Sequence, residues 1–309
     1  VEAAGICGSD IEGYLGRMSN RRPPLVMGHE FAGRVTAVGE GVTASLVGRR
    51  AAVNPLITCG RCGPCGEGLR NVCLRRGLVG VDRAGGFADD VAVPASALIA
   101  ISEDCDARLA ALAEPFANGV HAIRLGSAAR LPKTALVLGA GTIGVLAMQA
   151  ARIARIQHVA VSEPDAARRE QALRLGADSA YADAADALAA ARELPQGGFE
   201  LVVDAAGVEG SRRLAVEALR PAGVAVMLGL HSDATAVPFH RVVRQQLTIQ
   251  GSYAYTDEDF AHAVRLLEEG RVDLGTLAAV RPLSDGPAMF AEVANAPPER
   301  IKLFVGPAA

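Results

Sequence analysis

The sequence predicts an α/β protein built on a doubly wound parallel sheet. Three observations carry that expectation. A buried apolar run at 134–138 leads into a glycine-rich turn and an uncharged helix. Strand-like and helix-like segments then alternate as far as residue 253. Before Pro115 no such alternation exists, and the chain instead carries glycines, prolines and clustered metal-ligating side chains.

The 309 residues amount to about two domains. Half of them are apolar and 21% are charged, enough for a real core and against disorder. With 31 basic and 34 acidic side chains the net charge is −3, so nucleic acid is not expected as a partner. No basic block supports attraction to a membrane surface. The charge-free run at 134–151 approaches membrane-spanning length, but Gly139, Gly141, Gly144 and Gln149 make it a strand, a turn and a buried helix. No signal-peptide pattern is present, and a cytoplasmic protein is expected.

In that run Gly139, Gly141 and Gly144 fill G-x-G-x-x-G. The first glycine permits the tight turn, the second admits a pyrophosphate to the backbone, and the third lets helix pack on strand. Backbone N–H groups at Thr142 and Ile143, at the start of the helix, face the phosphates. The next apolar run, from His158, ends at Glu163. A carboxylate there accepts hydrogen bonds from ribose hydroxyls and repels a 2′-phosphate, which favours NAD over NADP. Arg168 and Arg169 lie near enough to blur that preference. Further strands fit 179–182, 199–204, 223–229 and 247–253, and helices fit 165–175, 183–193 and 208–219. The turns at 205–207 and 228–229 follow strand ends and are candidate nicotinamide contacts.

Of six cysteines, Cys59, Cys62, Cys65 and Cys73 fall in one short loop with gaps of two, two and seven residues. Four thiolates at such gaps suit a closed, structural Zn²⁺ site, ahead of an iron–sulfur cluster or two disulfides. A second set is more open. It comprises Cys7 in Gly-Ile-Cys-Gly-Ser-Asp, His29 and Glu30 in Gly-His-Glu, and Glu114 in Ala-Glu-Pro. One Cys, one His and one or two carboxylates make a zinc shell that keeps a position for substrate.

Together these motifs resemble the zinc-dependent medium-chain dehydrogenase/reductase family, which includes alcohol, sorbitol and threonine dehydrogenases. The resemblance runs from Val1 to about Val305. It implies a Rossmann sheet inserted in a GroES-like β-barrel domain: residues 1–117 catalytic, with a zinc lobe at about 57–75, 118–253 binding NAD, and 254–309 catalytic again. The last part holds a helix at 257–269 and a closing strand at 301–305.

By the same resemblance Cys7 and His29 hold the catalytic zinc, and Glu30 or Glu114 completes the shell. Cys59, Cys62, Cys65 and Cys73 hold the structural one, giving two Zn²⁺ per chain. Ser9 matches the hydroxyl that relays the substrate proton. Where several members extend the relay with His, this chain has Glu12. Where a sorbitol dehydrogenase has a polyol-holding Arg, it has Ala254, which points away from sorbitol. The implied reaction is hydride transfer from a secondary alcohol or polyol to NAD, giving the ketone. The alternatives are an L-threonine 3-dehydrogenase type and a sugar-alcohol phosphate dehydrogenase, the latter needing a basic pocket for which Arg241 and Arg244 are the candidates, although solvated positions suit them better. A non-catalytic zinc-binding module is the reading from another class. A homodimer or homotetramer is implied. Members carry more chain before the first zinc cysteine, so N-terminal residues are expected to be missing here.

Overall fold

The computed structural model describes residues 1–295 and 301–307. The chain divides into two compact units, Val1–Glu114 with Thr256–Ala309, and Pro115–Tyr255. The first unit begins with β1 (Ala3–Gly5), α1 (Gly8–Tyr14), β2 (Glu30–Arg34), β3 (Arg50–Val53), β4 (Leu56–Ile57), α2 (Gly63–Gly66), β5 (Gly77–Leu78), β6 (Leu98–Ala100) and α3 (Ala107–Ala111). Next come α4 (Ala113–Gly126), β7 (Thr134–Leu138), α5 (Thr142–Ile153), β8 (His158–Ser162), α6 (Ala166–Arg174), β9 (Ser179–Tyr181) and α7 (Ala184–Glu193). They are followed by β10 (Phe199–Asp204), α8 (Glu209–Glu217), β11 (Leu219–Met227), α9 (Phe239–Arg244) and β12 (Thr248–Gly251). The chain closes with α10 (Asp257–Glu268), β13 (Val280–Pro282), α11 (Gly286–Asn295) and β14 (Phe304–Gly306).

The second unit is a six-stranded sheet in the order β12-β11-β10-β7-β8-β9, parallel throughout. This is the doubly wound order, with its switch point between β7 and β10, where Leu138 pairs with Asp204. Strands covered on both faces read as unbroken apolar runs, and Ala135 to Leu138 and Leu201 to Val203 are buried accordingly. One face packs Leu136, Leu138, Phe199 and Val202 with Leu214 and Val216 of α8 and Ala187 and Ala191 of α7.

The first unit holds a six-stranded sheet in the order β13-β14-β1-β2-β3-β6, antiparallel except for β13 against β14. The central pairing sets Gly5 opposite Glu30 and Ala4 opposite Phe31. A Cβ at Gly5 would stand 2.6 Å from Glu30 Oε2, so the missing side chain makes room for that carboxylate. Beneath lies a core of Ala4, Ile6, Ile11, Phe31, Val53, Met289 and Phe290.

Several elements differ from the sequence expectation. The strand expected from residue 223 starts at Leu219, because Phe199 pairs with Leu219 before a register shift. The helix expected to reach 219 therefore ends at Glu217. The closing strand is Phe304–Gly306 rather than 301–305. Arg241 is not solvated: it donates to the carbonyls of Val216, Glu217 and Leu219 at 3.3, 3.0 and 2.8 Å and so caps the end of α8. That use withdraws it from any phosphate pocket.

Candidate active site and metal centres

Cys7 is the N-cap of α1, and its backbone N–H donates to Asp10 Oδ2 at 3.1 Å. Asp10 sits three residues into the turn and reaches back, as a capping carboxylate does. Its other oxygen lies 3.3 Å from His29 Nδ1. His29 enters at the start of β2, and Glu30 is the first residue of that strand. One ligand atom each from Cys7, His29 and Glu30 gathers within 4.8 Å. Glu114 is half-buried in the first turn of α4 and outside that group, though its charge reaches Lys302.

His29 is buried, which opposes its charged form, yet Asp10 and Cys7 beside it hold its pKa well above the usual value. The ring thus lies beside groups that favour a positive charge on it, which a bound cation would also supply. A carboxylate behind a ligating His fixes the tautomer and raises ligand basicity. The donor set therefore fits a catalytic zinc.

Behind Glu30 stands Lys302, with Nζ 2.6 Å from Oε2 and 2.9 Å from Oε1, and donating also to the Ile6 carbonyl at 3.2 Å. Both side chains are almost fully buried. Burial works against the ammonium, but the Glu30 charge, with help from Cys7 and Glu114, raises the Lys302 pKa overall. Since the raised pKa is the lysine's, the stability its ammonium contributes is fully present below the ordinary lysine range and is lost as the pH rises above it. Lys302→Met leaves Glu30 buried without its counter-charge, and we expect a loss of about 3–5 kcal/mol. Lys302→Met with Glu30→Gln recovers most of that loss in a thermal melt; an equally unstable double variant would refute the pair as the cause.

The four cysteines lie on the loop around α2. Sγ–Sγ separations are 3.4 Å for Cys62 and Cys65, 3.8 Å for Cys62 and Cys73, and 3.5 Å for Cys73 and Cys59. A disulfide needs about 2.05 Å, whereas four sulfurs about 2.3 Å from a central Zn²⁺ stand ~3.8 Å apart. The cluster thus has the edges of a zinc tetrahedron. Backbone N–H donation at Arg61 and Cys62 and the neighbouring thiol of Cys73 bring Cys59 down to about 6. Loss of water and neighbouring sulfurs push Cys65 up to about 11. The Cys59 and Arg75 amides also donate to Cys73 Sγ, each at 3.3 Å. Asp257 ties the lobe down through Arg70 at 3.2 Å and Asn54 at 3.2 Å.

In the second unit Gly139 has φ +94, which only glycine adopts freely, and a Cβ at Gly144 would fall on the Gly139 carbonyl oxygen. Gly141 is the N-cap of α5, with Thr142 and Ile143 in its first turn. Glu163 follows β8, is buried, and accepts from Ala140 N at 2.8 Å and Asp165 N at 3.0 Å. Arg168 is half-buried on α6, its amide capped by Asp165 at 2.9 Å. The turns at 207 and 229 pack backbone to backbone, so a Cβ on either would strike the other.

Ser9 and Glu12 share α1 but have different partners. Glu12 pairs with exposed Arg17 at 3.3 Å, and Ser9 Oγ accepts from Arg21 at 3.1 Å. Sequence reasoning gave no role to Asp10, Lys302 or Arg21. Asp10 lay inside the quoted motif, three residues after Cys7, a spacing that signals a cap. Lys302 is 272 residues from Glu30, and nothing local marks it.

One chain that carries both a parallel nucleotide-type sheet and an open Cys, His, carboxylate shell defines a class: zinc-binding, dinucleotide-dependent oxidoreductases. The comparisons agree. The model of the alcohol dehydrogenase GroES-like domain matches residues 1–103, and that of the zinc-binding dehydrogenase matches 142–269. The 2-dehydro-3-deoxy-L-galactonate 5-dehydrogenase of Pseudoalteromonas atlantica is 33% identical over 99% of this chain and 89% of its own. Among solved structures, an alcohol dehydrogenase (rspB) from Escherichia coli CFT073 complexed with NADH gives a TM-score of 0.89 at 29% identity, covering 99% of this chain and 90% of that one. A zinc-binding dehydrogenase from Sinorhizobium meliloti 1021 bound to NADP gives 0.88 at 29%, with the same coverage. The chain belongs to the zinc-dependent medium-chain dehydrogenase/reductase family, and its fold is the GroES-like and Rossmann pair. It is an NAD(P)-dependent alcohol or polyol dehydrogenase. Among the described residues no helix is long and apolar enough to cross a membrane.

Proposed function

We propose that the protein oxidises a secondary alcohol on a polyol or sugar acid with NAD, using one catalytic and one structural zinc per chain. The observation that carries this is the open shell of Cys7, His29 and Glu30, with Asp10 behind the ring and the Ser9 hydroxyl on the same helix turn. A non-catalytic module accounts for the four sulfurs but gives that second group no purpose. A sugar acid enters because the Pseudoalteromonas relative acts on one by name.

Zinc, when bound, lowers the pKa of an alcohol at its open position, and the nicotinamide accepts the hydride. The chain's own residues do the rest. Cys7 and His29 hold the metal, Asp10 fixes the His29 tautomer, and Glu30 completes the shell with Lys302 behind it. Ser9 Oγ accepts the substrate hydroxyl proton, and Glu12 offers a carboxylate nearer solvent. Gly139, Gly141 and Gly144 cradle the pyrophosphate at the N-terminus of α5, with Thr142 and Ile143 presenting amides, while Arg168 stands on α6 after Glu163. Glu163 reads the ribose, and its fixed negative charge is what supports NAD over NADP.

A homodimer or homotetramer in the cytoplasm completes the proposal, with the exposed edge strand β12 as a seam. Sedimentation equilibrium checks it, and a monomer would sink it. For the activity, we expect NAD reduction with sugar acids, polyols or secondary alcohols, lost on chelation and accompanied by two zincs per chain. Turnover that survives removal of both metals refutes the mechanism.

A further inference from the structure

We propose that Arg21 is a positioning residue that sets the direction in which the Ser9 hydroxyl passes its proton. The inference rests on the relay assigned to Ser9 above.

Arg21 lies in the segment between α1 and β2, and its side chain is 5% exposed. Its stem crosses Gly13, where a Cβ would stand 2.6 Å from Arg21 Cγ, so α1 is shaped to receive it. Nη2 donates to Ser9 Oγ at 3.1 Å and lies 4.0 Å from Asp10 Oδ1. Nε is buried with no hydrogen-bond partner among the described residues. A structural arginine in a buried place normally forms a two-pronged pair with a carboxylate. Arg21 does not. Among the described residues its side-chain hydrogen bond goes to a serine hydroxyl, with the Asp10 carboxylate farther off at 4.0 Å, and packing alone would be served by an apolar stem without the desolvated charge.

The chemistry of the pair explains that choice. A hydroxyl has one proton to donate and two lone pairs, while a guanidinium only donates and keeps its protons. Arg21 therefore occupies one lone pair of Oγ and turns the Ser9 proton away from itself. The second lone pair is left to accept the substrate hydroxyl proton. As that O–H bond breaks and a new one forms at Oγ, the original Ser9 proton departs to solvent water. Ser9 is neutral before and after, and Arg21 neither gains nor loses a proton. Its fixed charge stabilises Oγ at the moment the old proton leaves. Asp10 ties the device to the metal side: one carboxylate oxygen lies close to both Arg21 and His29.

The test is a double-mutant cycle on the zinc-loaded chain, with Arg21→Met in the native and Ser9→Ala backgrounds. In the native background we expect kcat to fall about 10- to 100-fold, less than the roughly 10²- to 10⁴-fold of a group that itself transfers the proton, because Arg21 only positions one. Zinc content and the KM for NAD should stay within about twofold, as expected when uniform binding is kept. With Ser9→Ala in place the same change should cost less than about threefold, because the partner it acts on is gone. Equal losses in both backgrounds, or unchanged kcat with a lowered melting point, would overturn the proposal and leave a packing role. If Arg21→Met does not fold, Arg21→Lys is used, which keeps stem and charge but donates along another line. A loss confined to the native background supports the proposal, and equal losses overturn it. A native chain with no turnover on any alcohol sinks the relay and this inference together, whereas active native protein with additive losses sinks Arg21 alone.

Discussion

Cys7→Ser lowers turnover by at least about 10³-fold while the four-cysteine site keeps its metal. The magnitude follows from the several kcal/mol that a bound metal supplies to the reaction, at 1.36 kcal/mol per tenfold. The separation follows from the structure, because Cys7 belongs to one ligand group and Cys59, Cys62, Cys65 and Cys73 to another. Zinc should fall from two per chain to one, and the far-ultraviolet spectrum should be unchanged, since α1 keeps its Asp10 cap. Full activity in a Cys7→Ser protein that has lost one zinc would remove the metal from the mechanism.

Cys59→Ser has the opposite signature, with structure lost before chemistry. Beyond the Asp257 tie and the packing of Leu56 and Ile57 at its base, little else holds the lobe. Its strands β4 and β5 are two residues each, and Leu69 and Leu74 are 46% and 77% exposed. Cys73 and Asn71 are buried, but a sulfur and an amide do not make a core. Structural zinc binding is worth about 10–16 kcal/mol in finger peptides at neutral pH, and a missing thiolate forfeits a large share of it. We expect the loss of one zinc and rapid proteolytic cleavage within residues 57–75. Native zinc content and protease resistance would refute the structural assignment.

The sequence was most informative where chemistry is packed into neighbouring residues. The glycine triplet and the four cysteines are each complete within one turn, so spacing alone defines them. The parallel strands announced themselves as apolar runs, and the helices expected from 165 and 183 do begin there, with Asp165 and Asp183 accepting from their first turns. The first unit was harder to divide, since strands of two to five residues are too short for a period to emerge. Hidden altogether were partners brought in by folding. Lys302 meets Glu30 only because β14 lies beside β1, and β1 beside β2. Arg21 meets Ser9 only because the segment before β2 folds back over Gly13. Arg241 resembled a surface charge until α8 ended beside it.

Glu163 carries a consequence for anyone redesigning this protein to prefer a phosphorylated cofactor. The side chain that would have to go also anchors the loop: its two oxygens hold the amides of Ala140 and Asp165. Exchanging it for a neutral residue removes the charge proposed to oppose a 2′-phosphate and, in the same stroke, unfastens Ala140 between two glycines. Selectivity and affinity are thus coupled through one carboxylate. A cofactor swap by this single substitution should weaken both dinucleotides before it favours either, and a second change that re-anchors Ala140 is needed to recover the gain.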